Sequence, residues 1–124
     1  MNVKIASAQY DISFLENWEA YEHKIERWVV DAFNNEAKIL LFPEYFSMEL
    51  ASLFGQPIYS SLSKQLEAIQ SLHNDFLNLF RSMAQKYQCI IQAGTFPVLI
   101  DAMVYRNRAY LFMPDGQLDY QDKL

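Results

Sequence analysis

The feature that most constrains the fold of this chain is a short apolar run closed by a proline. Residues 37–42 end in the sequence Ile-Leu-Leu-Phe, which has no polar alternation, and Pro43 follows directly. Proline cannot donate a hydrogen bond to a β-ladder, so a strand here must stop at this point. Strands without alternation are typical of parallel or mixed sheets that are covered on both faces. We therefore expect residues 37–42 to form a strand that is buried on both faces.

The segments before this run carry the signals of one strand and one long helix. Residues 3–8 alternate with a period of two, which predicts a strand. Apolar residues then recur at helical spacing over residues 18–33. Ser13 and Glu16 have the S-x-x-E spacing of a capping box, so we expect them to start this helix. Most of the acidic residues nearby would lie on its solvated face.

The segments after the run predict further helices and then strands. We expect residues 44–61 to be a long irregular connection with at most one short helical turn. Helical spacing resumes in two sets of apolar residues, separated by a break at residues 71–74. Apolar strands follow at residues 89–95 and 103–113, and the Pro-Asp-Gly-Gln turn at residues 114–117 leads into a last strand. This order favours an α/β fold in which helices cover a mixed sheet.

Composition and charge exclude several classes of function. The 124 residues carry a net charge of −5, so a basic face for nucleic acid is not expected. No apolar run approaches the roughly 18 residues of a membrane span, and the single cysteine allows no internal disulfide. We expect a cytoplasmic protein that binds neither nucleic acid nor membrane. No metal-ligand spacing or glycine-rich phosphate motif is present, so we expect no metal and no cofactor.

The position best placed for chemistry is Glu44, directly after the apolar strand and Pro43. Functional sites of α/β sheets collect at the carboxyl ends of strands. Tyr45 and Phe46 follow, and they could either line a substrate pocket or pack in the core. A carboxylate partly desolvated by such aromatic side chains could act as a general base. The alternative is an exposed loop glutamate.

Two further residues bear on the chemistry. Lys123 follows the last predicted strand, where an ammonium could stabilise a developing oxyanion; the alternative is a solvated surface charge. Cys89 opens the apolar strand Cys-Ile-Ile, so we expect a packed core thiol rather than a nucleophile.

Taken in order, these elements resemble the carbon–nitrogen hydrolase (nitrilase) superfamily. Residues 42–44 match its F-P-E pattern, residues 105–112 match its Y-x-N-x-A-Y-x-F strand, and residues 114–116 form its P-D-G turn before Lys123. The opening strand, which ends in Ala-Gln-Tyr, and the later strand, which ends in Gly-Thr, are also similar to those of the family. The resemblance covers the whole chain.

The resemblance implies a Glu-Lys-Cys triad, with Glu44 as the general base and Lys123 as the residue that stabilises the tetrahedral intermediate. In the family the cysteine follows the lysine, whereas this sequence ends one residue after Lys123. We therefore expect residues 1–124 to be the N-terminal part of a single carbon–nitrogen hydrolase domain. They would form the first half of its α-β-β-α sandwich. Asn107 matches a family asparagine, and we expect its amide to brace the strand.

The implied function is hydrolysis of a small-molecule amide, with a nitrile as the less favoured substrate, by a homo-oligomeric enzyme that is commonly a dimer. Because the nucleophile is not in this sequence, we expect residues 1–124 alone to be inactive. The alternative is a non-catalytic α/β module for binding or assembly.

Overall fold

Five strands form one mixed sheet in the order β1-β2-β3-β4-β5. A computed structural model describes residues 2–123, apart from the side chain of Tyr59. The strands are β1 (Ile5–Ser7), β2 (Ile39–Phe42), β3 (Ile90–Asp101), β4 (Val104–Phe112) and β5 (Leu118–Asp122). The first three run parallel to one another, whereas β4 is antiparallel to both β3 and β5. The predicted mixed sheet is therefore confirmed.

The helices lie mostly where the apolar spacing predicts them. They are α1 (Trp18–Asn34), α2 (Gln56–Tyr59), α3 (Leu62–Ile69) and α4 (His73–Lys86). The predicted break between the two later helices is a 3-10 turn, Gln70–Leu72. The connection after β2 is more regular than expected, because a 3-10 helix spans Phe46–Phe54. Its residues Phe46 and Leu50 are buried in the core, and this burial holds the segment in place.

The predicted capping box at Ser13 is wrong, because α1 begins four residues later. Asn17 is the N-cap, and its Oδ1 accepts a hydrogen bond of 2.9 Å from the amide of Ala20. Ser13 instead directs its amide and its hydroxyl to the carboxylate of Glu49. A buried carboxylate attracts such donors strongly, so the tertiary contact replaces the local cap.

An aromatic cluster forms the centre of the core between sheet and helices. The ring of Phe42 in β2 stacks on Phe46 with centroids 5.0 Å apart and meets Phe80 of α4 edge-on at 5.4 Å. Phe80 in turn contacts Phe112 of β4 at 6.0 Å. All four side chains are buried. Offset and edge-on pairs of this kind add to the gain from burial, and they hold the sheet and α4 together.

The prediction that β2 is buried on both faces is also wrong. Leu40 and Phe42 are buried, but Leu41 between them is 36% exposed. Leu41 pairs in register with Ser7 of β1 and Gln92 of β3, so these residues lie in one row across the sheet. The core of the described residues lies on the opposite face, where Leu40 and Phe42 point. Within residues 2–123, the face that carries Leu41 is therefore partly open.

A buried ion pair joins α1 to the 3-10 helix Phe46–Phe54. The Lys24 ammonium lies 2.5 Å from the Glu49 carboxylate, and both side chains are almost fully buried. Tyr10 donates its hydroxyl hydrogen to the same carboxylate, and Lys24 also donates to the carbonyl of Asp11. Sequence patterns did not reveal this pair, whose members are 25 residues apart. It fastens the loop before α1 to the segment that follows β2.

We expect Glu49→Leu to destabilise the protein by about 3–5 kcal/mol, because it leaves the Lys24 ammonium buried without its partner. The double variant Lys24→Met/Glu49→Leu should be more stable than Glu49→Leu alone, because neither charge is then uncompensated. Urea denaturation measures both changes.

The matched control is Glu26→Gln at the more exposed pair between Glu26 and Lys86, where we expect a loss of less than about 1 kcal/mol. If Glu49→Leu lost no more stability than this control, the buried pair would have no structural importance.

Candidate active site

Glu44 lies on a tight turn that leaves the carboxyl end of β2. The carbonyl of Pro43 accepts a hydrogen bond from the amide of Phe46, and Tyr45 adopts a left-handed conformation with φ 63°. The amide of Tyr45 donates to Oγ1 of Thr95 in β3 over 2.8 Å. The turn is therefore closed by its own hydrogen bond and is anchored to the neighbouring strand at the residue after Glu44.

Gly94 allows this turn to pack directly on β3. Its φ is +51°, and a Cβ at this position would lie 2.2 Å from the carbonyl oxygen of Pro43 and 2.6 Å from the ring of Phe46. No side chain fits in that space, so the close approach requires glycine. Ser47, the residue after Phe46, donates its hydroxyl hydrogen to the carbonyl of Thr95 over 2.8 Å. These contacts fix where Glu44 stands relative to the sheet.

Lys123 and Glu44 lie side by side in the structure. The Lys123 Nζ lies 3.1 Å from Oε1 of Glu44, although the two residues are 79 positions apart. The hydrogen bond to this carboxylate raises the pKa of the Lys123 ammonium above its ordinary value. The side chains of Glu44 and Lys123 are 46% and 66% exposed, so the described residues do not enclose the pair. The expected desolvation of Glu44 by aromatic neighbours is not observed within residues 2–123.

Asn107 is the third polar side chain of this cluster. Its Nδ2 donates to Oε1 of Glu44 over 2.7 Å, and its main-chain carbonyl accepts from the amide of Lys123 over 2.9 Å. The amide was expected to brace the strand, and in the structure it links β4 to the loop after β2. The signal for this contact was the asparagine of the Y-x-N pattern, but a pattern does not show what the side chain contacts.

A bidentate salt bridge joins β4 to β5 immediately before Lys123. Arg108 donates from Nε and Nη2 to the two oxygens of Asp122, over 2.7 and 3.1 Å. The guanidinium lowers the pKa of the Asp122 carboxyl and also lies 3.9 Å from the ring centroid of Tyr120. Sequence reasoning did not identify this pair. It limits the positions that the neighbouring residue, Lys123, can reach.

The two aromatic residues after Glu44 have different environments. Phe46 is 1% exposed and packs among the rings of the core, so its side chain does not reach the surface beside Glu44. Tyr45 is 48% exposed on the same turn as Glu44. Of the two candidates for substrate contact, Phe46 is a core residue and Tyr45 is the one that a bound molecule can reach.

Cys89 is a core residue in the structure. Its side chain is buried, and burial raises the pKa of the thiol to about 11. A thiol with this pKa carries almost no thiolate at neutral pH and is a poor nucleophile. Among residues 2–123, no three side chains of the metal-binding types stand close enough to hold an ion, and no helix has the length and apolar character to cross a membrane.

Comparison with known proteins assigns the family. Residues 4–124 match the family model of carbon-nitrogen hydrolases. This chain belongs to that family. A curated relative, the probable hydrolase YhcX of Bacillus subtilis, is 30% identical over 122 residues. The match covers 98% of this chain but 23% of the relative, so the chain spans about a quarter of that protein's length.

Solved structures of carbon–nitrogen hydrolases have the same fold. The enzyme of Helicobacter pylori G27 superimposes with a TM-score of 0.73 at 14% identity, over 98% of this chain and 39% of that one. Saccharomyces cerevisiae Nit3, a member of the nitrilase superfamily, gives a TM-score of 0.68 at 22% identity, over 98% and 44%. An amidase from Nesterenkonia sp. gives 0.61 at 18% identity, over 98% and 42%. The predicted nitrilase-type α/β fold is thereby confirmed.

We expect Gly94→Ala to destabilise the protein by about 2–4 kcal/mol, because the new methyl group overlaps the carbonyl of Pro43. Gly55→Ala is the matched control: Gly55 also has a positive φ, 84°, but a methyl group there would lie 4.0 Å from its nearest neighbouring atom. The control should show a smaller loss of about 1–3 kcal/mol, from the strain of its backbone conformation (φ 84°, ψ 175°) without any steric overlap. Urea denaturation compares the two, and equal losses would contradict the close-approach argument.

We expect Cys89 to react with iodoacetamide at pH 8 about 100-fold more slowly in the folded protein than in the urea-unfolded chain. The cause is the raised thiol pKa, so the folded-state rate should increase as the pH approaches 11. Mass spectrometry of timed samples measures both rates. Rapid alkylation of the folded protein that abolished an amidase activity would show that Cys89 is an active-site thiol after all.

Proposed function

We propose that this chain provides the general base and the oxyanion-stabilising lysine of an enzyme that hydrolyses small amides. The observation that carries the proposal is the 3.1 Å contact between Lys123 Nζ and Glu44 Oε1 at the carboxyl end of a parallel strand. In a carbon–nitrogen hydrolase, a glutamate and a lysine so placed fit the first two members of a Glu-Lys-Cys triad. The cysteine of that triad follows the lysine in the family, and it would come from a segment beyond residue 124.

The first half of the reaction forms an acyl-enzyme. The Glu44 carboxylate takes the proton of the cysteine thiol, and the thiolate attacks the amide carbon. The charge that develops on the amide oxygen is stabilised by the Lys123 ammonium, since a lysine is protonated at neutral pH. The carbon–nitrogen bond then breaks, and the leaving amine takes the proton from Glu44. A thioester and a free amine result.

The second half returns the enzyme to its starting state. Glu44, again a carboxylate, takes a proton from a water molecule that attacks the thioester carbon. Lys123 stabilises the second oxyanion as it did the first. When the carbon–sulfur bond breaks, the proton on Glu44 passes to the cysteine sulfur and the carboxylic acid leaves. The sum of both halves is one amide and one water converted to one acid and one amine.

We propose an amide rather than a nitrile as the substrate because of the solved structures that this chain resembles. Three of these solved structures are of amidase from Nesterenkonia sp., and one of the three is a double mutant in complex with acrylamide. The exposed pair of Glu44 and Lys123, with Tyr45 beside it, leaves room for a small acyl group to approach.

In the full-length protein, we expect Glu44→Gln and Lys123→Met each to lower kcat for a small amide by about 10³-fold or more, because triad members act as a unit. Release of ammonia or amine measures the rate. Glu67→Gln and Lys64→Met are the matched controls, since both residues are exposed on α3 and should leave the rate unchanged.

Residues 1–124 alone should release no more amine than a buffer control. Turnover by that polypeptide, or an active Glu44→Gln variant of the full-length protein, would overturn the proposed roles. A full-length protein that turns over no amide or nitrile would instead support the non-catalytic module.

A further inference from the structure

Asn107 contacts both candidate catalytic residues at the same time. It lies in β4, opposite Pro97 of β3, and its side chain donates to Glu44 on the loop after β2. Its main-chain carbonyl accepts from the amide of Lys123, the residue that follows β5. One residue in the middle of the sheet therefore links the two segments that carry the general base and the lysine.

The two oxygens of the Glu44 carboxylate differ in their hydrogen-bond partners. Oε1 receives both the amide hydrogen of Asn107, over 2.7 Å, and the ammonium hydrogen of Lys123, over 3.1 Å. Among the described residues, no donor reaches Oε2. An oxygen with two donors has its lone pairs engaged, whereas an oxygen with none is free to accept a proton. The basic atom of this carboxylate is therefore Oε2.

The orientation of the Asn107 amide is set by the carboxylate that it contacts. An ionised carboxylate only accepts hydrogen bonds, so the amide must present its NH₂ group to Glu44. Its other end, Oδ1, is then buried, and no donor among residues 2–123 contacts it. A buried acceptor without a partner destabilises a fold by about 1–3 kcal/mol. A position retained for stability alone would be better served by an apolar side chain, so this geometry favours a role at the site.

We propose that Asn107 is a positioning residue that holds Oε1 of Glu44 and thereby presents Oε2 as the proton-accepting atom. This inference rests on the proposed function, because it assigns a task to each oxygen of the proposed general base. Asn107 touches neither substrate nor reacting atoms in this scheme and acts through Glu44. A neutral amide suits the task, because it orients the carboxylate without adding a second cation beside Lys123.

The test uses the full-length enzyme and two variants. Asn107→Leu keeps the approximate size of the side chain and removes the hydrogen bond, so we expect kcat to fall about 10- to 100-fold while KM changes little. Asn107→Asp replaces the donor with a carboxylate and places a like charge beside Glu44. We expect the acidic limb of the pH profile of kcat/KM to move to higher pH by about one unit in this variant.

The control for the chemical change is Asn78→Asp on the exposed side of α4, which should leave the pH profile where it is. Thermal unfolding is measured for every variant, so that rates are compared per folded molecule. A residue that only stabilised β4 would lower the unfolding temperature without moving the pH profile, and this outcome would overturn the proposal. Failure of both Asn107 variants to fold would overturn it as well, because it would identify a purely structural position.

Glu44→Gln in the same enzyme separates this inference from the proposed function. If Glu44→Gln is inactive while both Asn107 variants keep the wild-type kcat and pH profile, the role of Asn107 is wrong and the triad stands. If Glu44→Gln is active, the proposed function fails first.

Discussion

The geometry of the Glu44 site depends on one backbone contact, the packing of the Pro43 carbonyl against Gly94. Because Gly94 has no Cβ, the turn after β2 can lie closer to β3 than any other residue would allow. This close approach positions the carboxyl end of β2 relative to β3. Thr95 and Ser47 then fix the turn in its orientation. Because β3 also pairs with β4, the same contact sets the distance from Glu44 to Asn107. The polar cluster at this end of the sheet is thus built on a steric constraint in the backbone.

Most of the fold was predictable, because its elements carry local signals. Pro43 ends β2, the break between α3 and α4 falls at polar residues, and the turn at residues 114–117 leads into β5. The errors arose where a distant partner overrides a local signal. Ser13 has the spacing of a cap, but it donates to Glu49, a buried carboxylate that no local pattern reveals. Leu41 sits in an unbroken apolar run, yet exposure depends on what covers the sheet, which periodicity does not encode.

The candidate site was predictable to the level of residues but not of contacts. Glu44 and Lys123 were singled out by position and by resemblance, and the structure sets them side by side. The proposed role of Asn107 depends on which end of its side-chain amide faces Glu44. The Glu44 carboxylate, 63 positions away in the sequence, fixes that orientation. The Arg108–Asp122 pair was missed for a related reason, since cross-strand partners are defined only once the register of β4 and β5 is known.

Tyr45 has a backbone conformation that is unfavourable for a bulky residue. At φ 63° the left-handed backbone suits glycine or asparagine, and a bulky side chain there destabilises the fold by about 1–2 kcal/mol. Its side chain is about half exposed, so its burial offsets little of this strain. Selection for stability alone would therefore favour glycine or asparagine over tyrosine at this position. Screens for thermal tolerance should enrich glycine or asparagine here, and either would remove the aromatic surface beside Glu44.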